Sequence, residues 1–282
     1  MKKNETYLFH PLKAITLVFE RWDLLKQFVR RSVEERYRGS VFGLVWSFAQ
    51  PLMMLAVYTF VFSTIFKSKT TFGGVASDIP FSLFLLCGMA VFGMFSEAVN
   101  GCCNSVATRP NFVKKVVFPL EVLPASTVFS TFILNLVWFV LLIGGMLVMV
   151  HKVYWTMIFL PLILLPLLLL SLGCGFIAAS ISVYIKDCQY LIGVCLQVLF
   201  FMSPVFYSMD RILESDKVPQ ICKTILQLNP LYPLIENTRK IFLVGQLPDF
   251  LWLGILTVVS YLIFHLGVVF FAKTKKGFAD VI

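Results

Sequence analysis

The chain has little charge: Asp, Glu, Lys and Arg make up 14% of its 282 residues, and histidine occurs three times. So few charges cannot clothe a soluble surface of this size. With 59% hydrophobic residues and a mean hydropathy of +0.86, an ordinary globular domain is excluded. There is no G-x-x-x-x-G-K-[ST] run, which excludes nucleotide binding through a phosphate loop. His10 and His151 lie outside the apolar runs and His265 is alone inside one, so no Ser/His/Asp or Cys/His set follows from spacing. Clustered carboxylates are scarce too; Asp210, Glu214 and Asp216 come nearest and read as solvated loop charges. Cys102 and Cys103 are adjacent, but no further His or Cys stands at ligand spacing, so no metal site is expected.

Long apolar runs are what the chain does have. Val41 to Phe66 follows directly on Arg30, Arg31, Arg36 and Arg38. Further runs cover Ile79 to Val99, Val122 to Val150, Val153 to Ile185, Tyr190 to Met209 and Phe250 to Ala272. A hydrocarbon core takes roughly 20 apolar residues in a helix. The expectation is therefore an all-α membrane protein with six spans over 41–272 and both ends on one side. Charge agrees with this, because 16 of the 24 Lys and Arg fall on the side that six crossings make cytoplasmic, which predicts N-in and C-in. The net charge of +9 then faces anionic headgroups and calls for no nucleic acid. The first span is expected to double as an uncleaved targeting signal. Only Cys222 falls on the outer side, so no disulfide is expected there.

The connecting segments are patterned. In residues 1–40, Leu12, Ile15, Phe19, Trp22, Leu25, Val29 and Val33 recur at helical steps opposite Lys13, Arg21, Lys26 and Arg30. This predicts a basic amphipathic helix lying on the inner interface, packed on a partner, or both. In the cytoplasmic loop 101–119, Pro110 and Pro119 bound a short segment with Asn111 as its N-cap. That segment reads either as a small docking helix or as an ordinary basic loop. The outer loop 210–249 is too long to be structureless. Leu231, Leu234, Ile235, Ile241 and Phe242 give it a helical face, so short helices are expected to re-enter the membrane or lie on its outer surface. A short cytoplasmic tail, 273–282, follows the last span.

Glu97 is the only strong charge within the expected spans, where a structural ion pair and a transport role are both open. Aromatic residues make up 15% of the chain, 29 of them Phe. Tyr58, Phe62, Trp138, Phe200, Phe201, Phe206 and Tyr207 lie in or beside spans. Such rings face lipid, fill helix contacts, or stack on the apolar faces of sugars.

The order of motifs carries a resemblance. Arg36-Tyr37-Arg38-Gly39-Ser40, then Gly43-Leu44-Val45-Trp46 and Gln50-Pro51-Leu52, resembles the start of the first span in ABC-2 permeases that export polysaccharides and polyol phosphates. Asn111 to Pro119, Glu121-Val122-Leu123-Pro124, Asn229-Pro230 and Gly277-Phe278-Ala279-Asp280 are similar to the same family. The resemblance runs through nearly the whole chain. It implies a permease working as a homodimer with two copies of a separate ABC ATPase, which would bind the ATP and Mg; no cofactor is implied in this chain. The implied cargo is lipid-linked polysaccharide (O-antigen, capsule or teichoic acid) crossing a bacterial cytoplasmic membrane. Arg109, Asn111, Phe112, Lys114, Lys115 and Val116 would couple to the ATPase. Arg36, Tyr37, Arg38 and Trp46 would gate the substrate, and Tyr58, Phe62, Phe200, Phe201, Phe206 and Tyr207 would line the channel. An ABC-2 exporter of small hydrophobic molecules and a membrane-embedded lipid-modifying enzyme are the alternatives.

Overall fold

A computed structural model describes residues 21–38, 42, 43, 45–65, 71, 72, 75, 76, 79–114, 118–216 and 218–281. The first half of the expected amphipathic stretch, with Leu12, Ile15 and Phe19, lies outside the described residues.

Helices dominate. Helix α1 is Trp22–Tyr37, and α2 is Val45–Thr59 continued by a π-helical segment Phe60–Ile65. Thr71–Phe72 and Val75–Ala76, here β1 and β2, pair antiparallel in a minimal hairpin. Helix α3 is Phe81–Ala107, α4 is the single turn Pro110–Val113, and α5 is Val122–Gly145 with a π-helical end Met146–Val150. After a 3₁₀ turn at Trp155–Phe159 come α6 (Leu160–Tyr184) and α7 (Cys188–Met202). The connection after α7 holds α8 (Met209–Glu214), α9 (Gln220–Gln227) and α10 (Leu231–Arg239), the last prolonged as a π helix over Lys240–Val244. Helix α11 is Phe250–Thr274, followed by a 3₁₀ turn at Lys275–Gly277 and by α12, Phe278–Val281.

Four helices among the described residues are long and apolar enough to cross a bilayer: Phe81–Ala107, Val122–Val150, Trp155–Tyr184 and Phe250–Val281. Helix α7 is shorter than the run Tyr190 to Met209 suggests. Pro204 disfavours helical geometry at Ser203, which is extended and ends the helix after Met202.

Helix α3 is the centre of the bundle. Its apolar window is 83% buried, against 22–39% for the other three, so those carry the lipid-facing surface. At the back, α6 and α11 run in backbone contact. A Cβ on Gly267 would lie 2.4 Å from the Gly173 carbonyl oxygen, and one on Gly173 would lie 2.7 Å from that of Ile263. Small residues are what permit helix axes to come this close in a membrane. At the end of the bundle where α6 stops and α11 finishes, Tyr184 donates to the Thr274 carbonyl at 2.7 Å, and Phe278 is fully buried against Tyr184 and Phe271.

The connection between α7 and α11 packs back into the bundle. Leu231, Leu234, Ile235, Ile241 and Phe242, the face read from the sequence, are all fully buried. Asn229 starts α10 by accepting from the Leu231 N–H at 2.9 Å. It also donates to the Ser203 hydroxyl at 2.9 Å and the Met202 carbonyl at 3.3 Å, which ties the re-entrant helix to the end of α7. Gly245, in the left-handed region at φ 73°, closes the π segment where the Tyr154 ring leaves no room for a side chain.

Candidate functional site

A cavity of about 460 Å³ opens between α1, α2, α3 and α5. Its lining is unusually polar for this bundle: Arg36, Ser47, Gln50, Ser96, Glu97, Asn100, Asn135 and Trp138, with Pro51 and Phe92 among the apolar members. Glu97 organises it. One carboxylate oxygen pairs with the Arg36 guanidinium, and the other accepts from Asn135 Nδ2 at 2.6 Å. Asn135 also donates to the Thr131 carbonyl at 3.0 Å and accepts from the Trp138 indole N–H at 3.0 Å, so its amide orientation is fixed by three partners. The intramembrane acid thus has a cation from α1 and an amide from α5.

A second hollow of about 310 Å³ adjoins the first along the same face of α3, toward α7. Phe92, Ser96 and Asn100, at four-residue steps on one face of α3, line both hollows; Gly193, Gln197 and Phe200 of α7 close the second. Aromatic rings extend the line from there. Phe92 and Phe200 have centroids 4.9 Å apart, Phe200 and Phe206 4.9 Å, and Phe206 and Tyr58 5.4 Å, while Phe201 stacks on Phe206 at 6.2 Å and stands largely exposed. The result is a groove along α3, polar at the Glu97 end and aromatic at the Phe206 end.

At the aromatic end the re-entrant helix is clamped by a buried arginine. Arg239 is fully buried. It pairs with Glu236 at 3.0 Å, donates to the carbonyls of Val205 at 2.9 Å and Tyr207 at 3.3 Å, and lies 3.5 Å above the Phe84 ring. The sequence places Arg239 among outer-loop charges; the structure turns it inward, because α10 packs into the bundle and carries it to carbonyls freed where α7 ends.

At the opposite end, α4 projects from the bundle with Asn111 and Lys114 exposed. Phe112 turns inward against Phe118 at 4.7 Å and Phe28 of α1 at 5.5 Å. The N-cap is Arg109 rather than Asn111, since Pro110 takes the first helical position where its missing N–H costs nothing. Helix α1 seats Leu25 in the bundle and Trp22 edge-on to Phe129, and leaves an apolar groove of about 410 Å³ against α5 with Lys26 and Arg30 at its rim. The hydrogen bond that Arg30 donates to the Glu34 carboxylate raises the pKa of Arg30 above its ordinary value. Among the described residues no three His, Cys, Asp or Glu side chains converge as metal ligands.

Residues 23–243 match the ABC-2 type transporter family. The chain belongs to that family. The match begins inside α1 and ends in the π segment after α10, so it takes in the groove, α4 and the re-entrant helix. Among relatives, the O-antigen export system permease protein RfbA of Myxococcus xanthus is 29% identical over 276 residues, covering 96% of this chain and all of the relative. An RfbA of Klebsiella pneumoniae is 25% identical over the whole chain and 98% of its own length. The polysialic acid transport protein KpsM of Escherichia coli is 23% identical over 88% of this chain and 92% of its own.

In this ABC-2 chain, a multi-pass membrane protein, the residues singled out from sequence fall into separate groups. Tyr58, Phe200, Phe201 and Phe206 come together in one aromatic cluster, and Tyr207 joins it by donating to the Phe201 carbonyl at 3.3 Å. Arg36 reaches the polar cavity, whereas Arg38 and Trp46 are exposed, Trp46 edge-on to Phe42. Lys115, Val116 and the side chains of Tyr37 and Phe62 lie outside the described residues. Ser96, Asn100, Asn135 and Gln197 were not anticipated. Their signal was available, since each is a polar residue in an otherwise apolar run, but periodicity alone does not say which neighbour a lone amide meets.

Proposed function

We propose that this chain is the permease subunit of an ATP-driven exporter of lipid-linked polysaccharide in a bacterial cytoplasmic membrane. The observation that carries the reading is the groove along α3, where amides and hydroxyls lead into a row of aromatic rings about 5 Å apart. Hydroxyls of a sugar chain exchange hydrogen bonds with Gln50, Ser96, Asn100 and Gln197, and its C–H faces slide over Phe200, Phe206 and Tyr58. No single deep well interrupts the path. The names of the relatives, O-antigen export permeases and a polysialic acid transport protein, favour the same cargo class.

The groove is open along one side, between α2 and α7, and both of these helices expose large apolar side chains such as Leu52, Val57, Val194 and Val198. Polar groups facing hydrocarbon are costly. A second copy of the chain set against α2 and α7 shelters them and turns two grooves into one channel. With α2 and α7 counted as the first and fifth crossings, the chain has six spans, N-in and C-in, and α4 faces the cytoplasm. There Asn111 and Lys114 form the outward surface for a separate ABC ATPase, two copies per dimer, which binds ATP and Mg. Arg109 and Phe112 support that turn from behind.

The test is reconstitution of the chain with its ATPase in vesicles loaded with lipid-linked glycan on one leaflet. ATP-dependent appearance of glycan on the other side is expected. Stimulation of ATP hydrolysis by hydrophobic drugs but not by glycan would favour a small-molecule exporter, and chemical turnover of lipid by the chain without any ATPase would favour an enzyme.

A further inference from the structure

Helix α1 holds two unrelated parts of the molecule with neighbouring residues. On one face Phe28 packs 5.5 Å from both Phe112 and Phe118, and Glu35, two turns further on, lies 3.9 Å from Arg109. These contacts bracket α4. The next residue, Arg36, is rotated by about 100° and pairs with Glu97 in the cavity. From Phe28 to Arg36 run only about two turns of regular helix, with no proline or glycine to absorb a displacement.

The Arg36–Glu97 pair is suited to being remade. Its side chains are 44% and 35% exposed, so water can replace either partner at small cost. When Arg36 withdraws, Glu97 keeps its hydrogen bond from Asn135, which Trp138 holds in place.

We propose that α1 is a transmission lever: movement of α4 passes through Phe28 and Glu35 to Arg36, and the Arg36–Glu97 pair sets whether the polar end of the groove is narrow or wide. Arg36 and Glu97 are positioning residues in this scheme. The proposal rests on the exporter reading above.

The experiment uses the full permease–ATPase complex in glycan-loaded vesicles and reads glycan exported per ATP hydrolysed. Arg36→Gln and Glu97→Gln are each expected to lower that ratio about tenfold, and the reciprocal exchange Arg36→Glu with Glu97→Arg to recover most of it. A merely structural pair would not respond to a reversible lock. Arg36→Cys with Glu97→Cys, in a chain whose exposed Cys195 and Cys222 are replaced by serine, is therefore expected to stop export when oxidised and to release it on reduction. Unchanged ratios in both single variants, or full export through the oxidised double cysteine, overturn the lever. A wild-type complex that hydrolyses ATP and moves no glycan overturns the exporter reading, and the lever with it.

Discussion

Two arginine–carboxylate pairs grip the central helix α3 at different levels, and they are built in opposite ways. Arg239, beside Phe84 near the start of α3, has no exposed surface and is held by Glu236, two carbonyls and that ring. Arg36, paired with Glu97 further along α3, is nearly half exposed. A buried charge stripped of its partner leaves an uncompensated charge in the core, whereas a solvated one is rehydrated. The Arg239–Glu236 pair therefore fixes a position, and the Arg36–Glu97 pair permits two.

That contrast can be broken by measuring the thermal unfolding midpoint of the purified chain. Arg239→Ala abandons Glu236 and two buried carbonyls and is expected to cost about 3–5 kcal/mol, enough to lose most folded protein. A near-normal midpoint would erase the distinction. Arg239→Lys is expected to cost less, about 1–3 kcal/mol, because one ammonium cannot reach both carbonyls and the carboxylate in the fork geometry of a guanidinium. Asn135→Leu removes the donor to Glu97 and the acceptor for Trp138, and about 1 kcal/mol of loss is the expected reading. Glu97→Gln keeps an acceptor for Asn135 and should fall within about 1 kcal/mol of the parent; a loss as large as that of Arg239→Ala would make the Arg36–Glu97 pair another fixed clamp. Arg30→Gln, which breaks an exposed pair with Glu34, sets the floor of the series with no shift in midpoint.

The two levels also differ in how far they can be read from sequence. The re-entrant helix is legible because Leu231, Leu234, Ile235, Ile241 and Phe242 keep helical spacing inside a loop too long to lack order. The burial of Arg239 is not, since its acceptors are backbone carbonyls more than 30 residues away and carry no side-chain signature. Glu97 stands out as an acid in an apolar run, yet its partners sit 61 residues earlier and 38 later, on helices whose packing periodicity does not specify. The short turn α4 is recognisable from Pro110 and Pro119. Which of its residues face outward is decided by Phe28 on another helix, so the inward turn of Phe112 escapes a local reading.

The seam of α6 and α11 has a consequence for girth. With Gly173 and Gly267 in backbone contact, that side of the bundle has no slack left to give. On the exporter reading, a glycan of varying thickness, branched at one residue and bare at the next, would be accommodated wholly by the opposite side. There α2 carries Pro51 and a π segment, and α7 stops short after Met202. The proposed passage then has a stiff back and a compliant front, so on that reading variants that tune tolerance for bulky side branches should concentrate in α2 and α7.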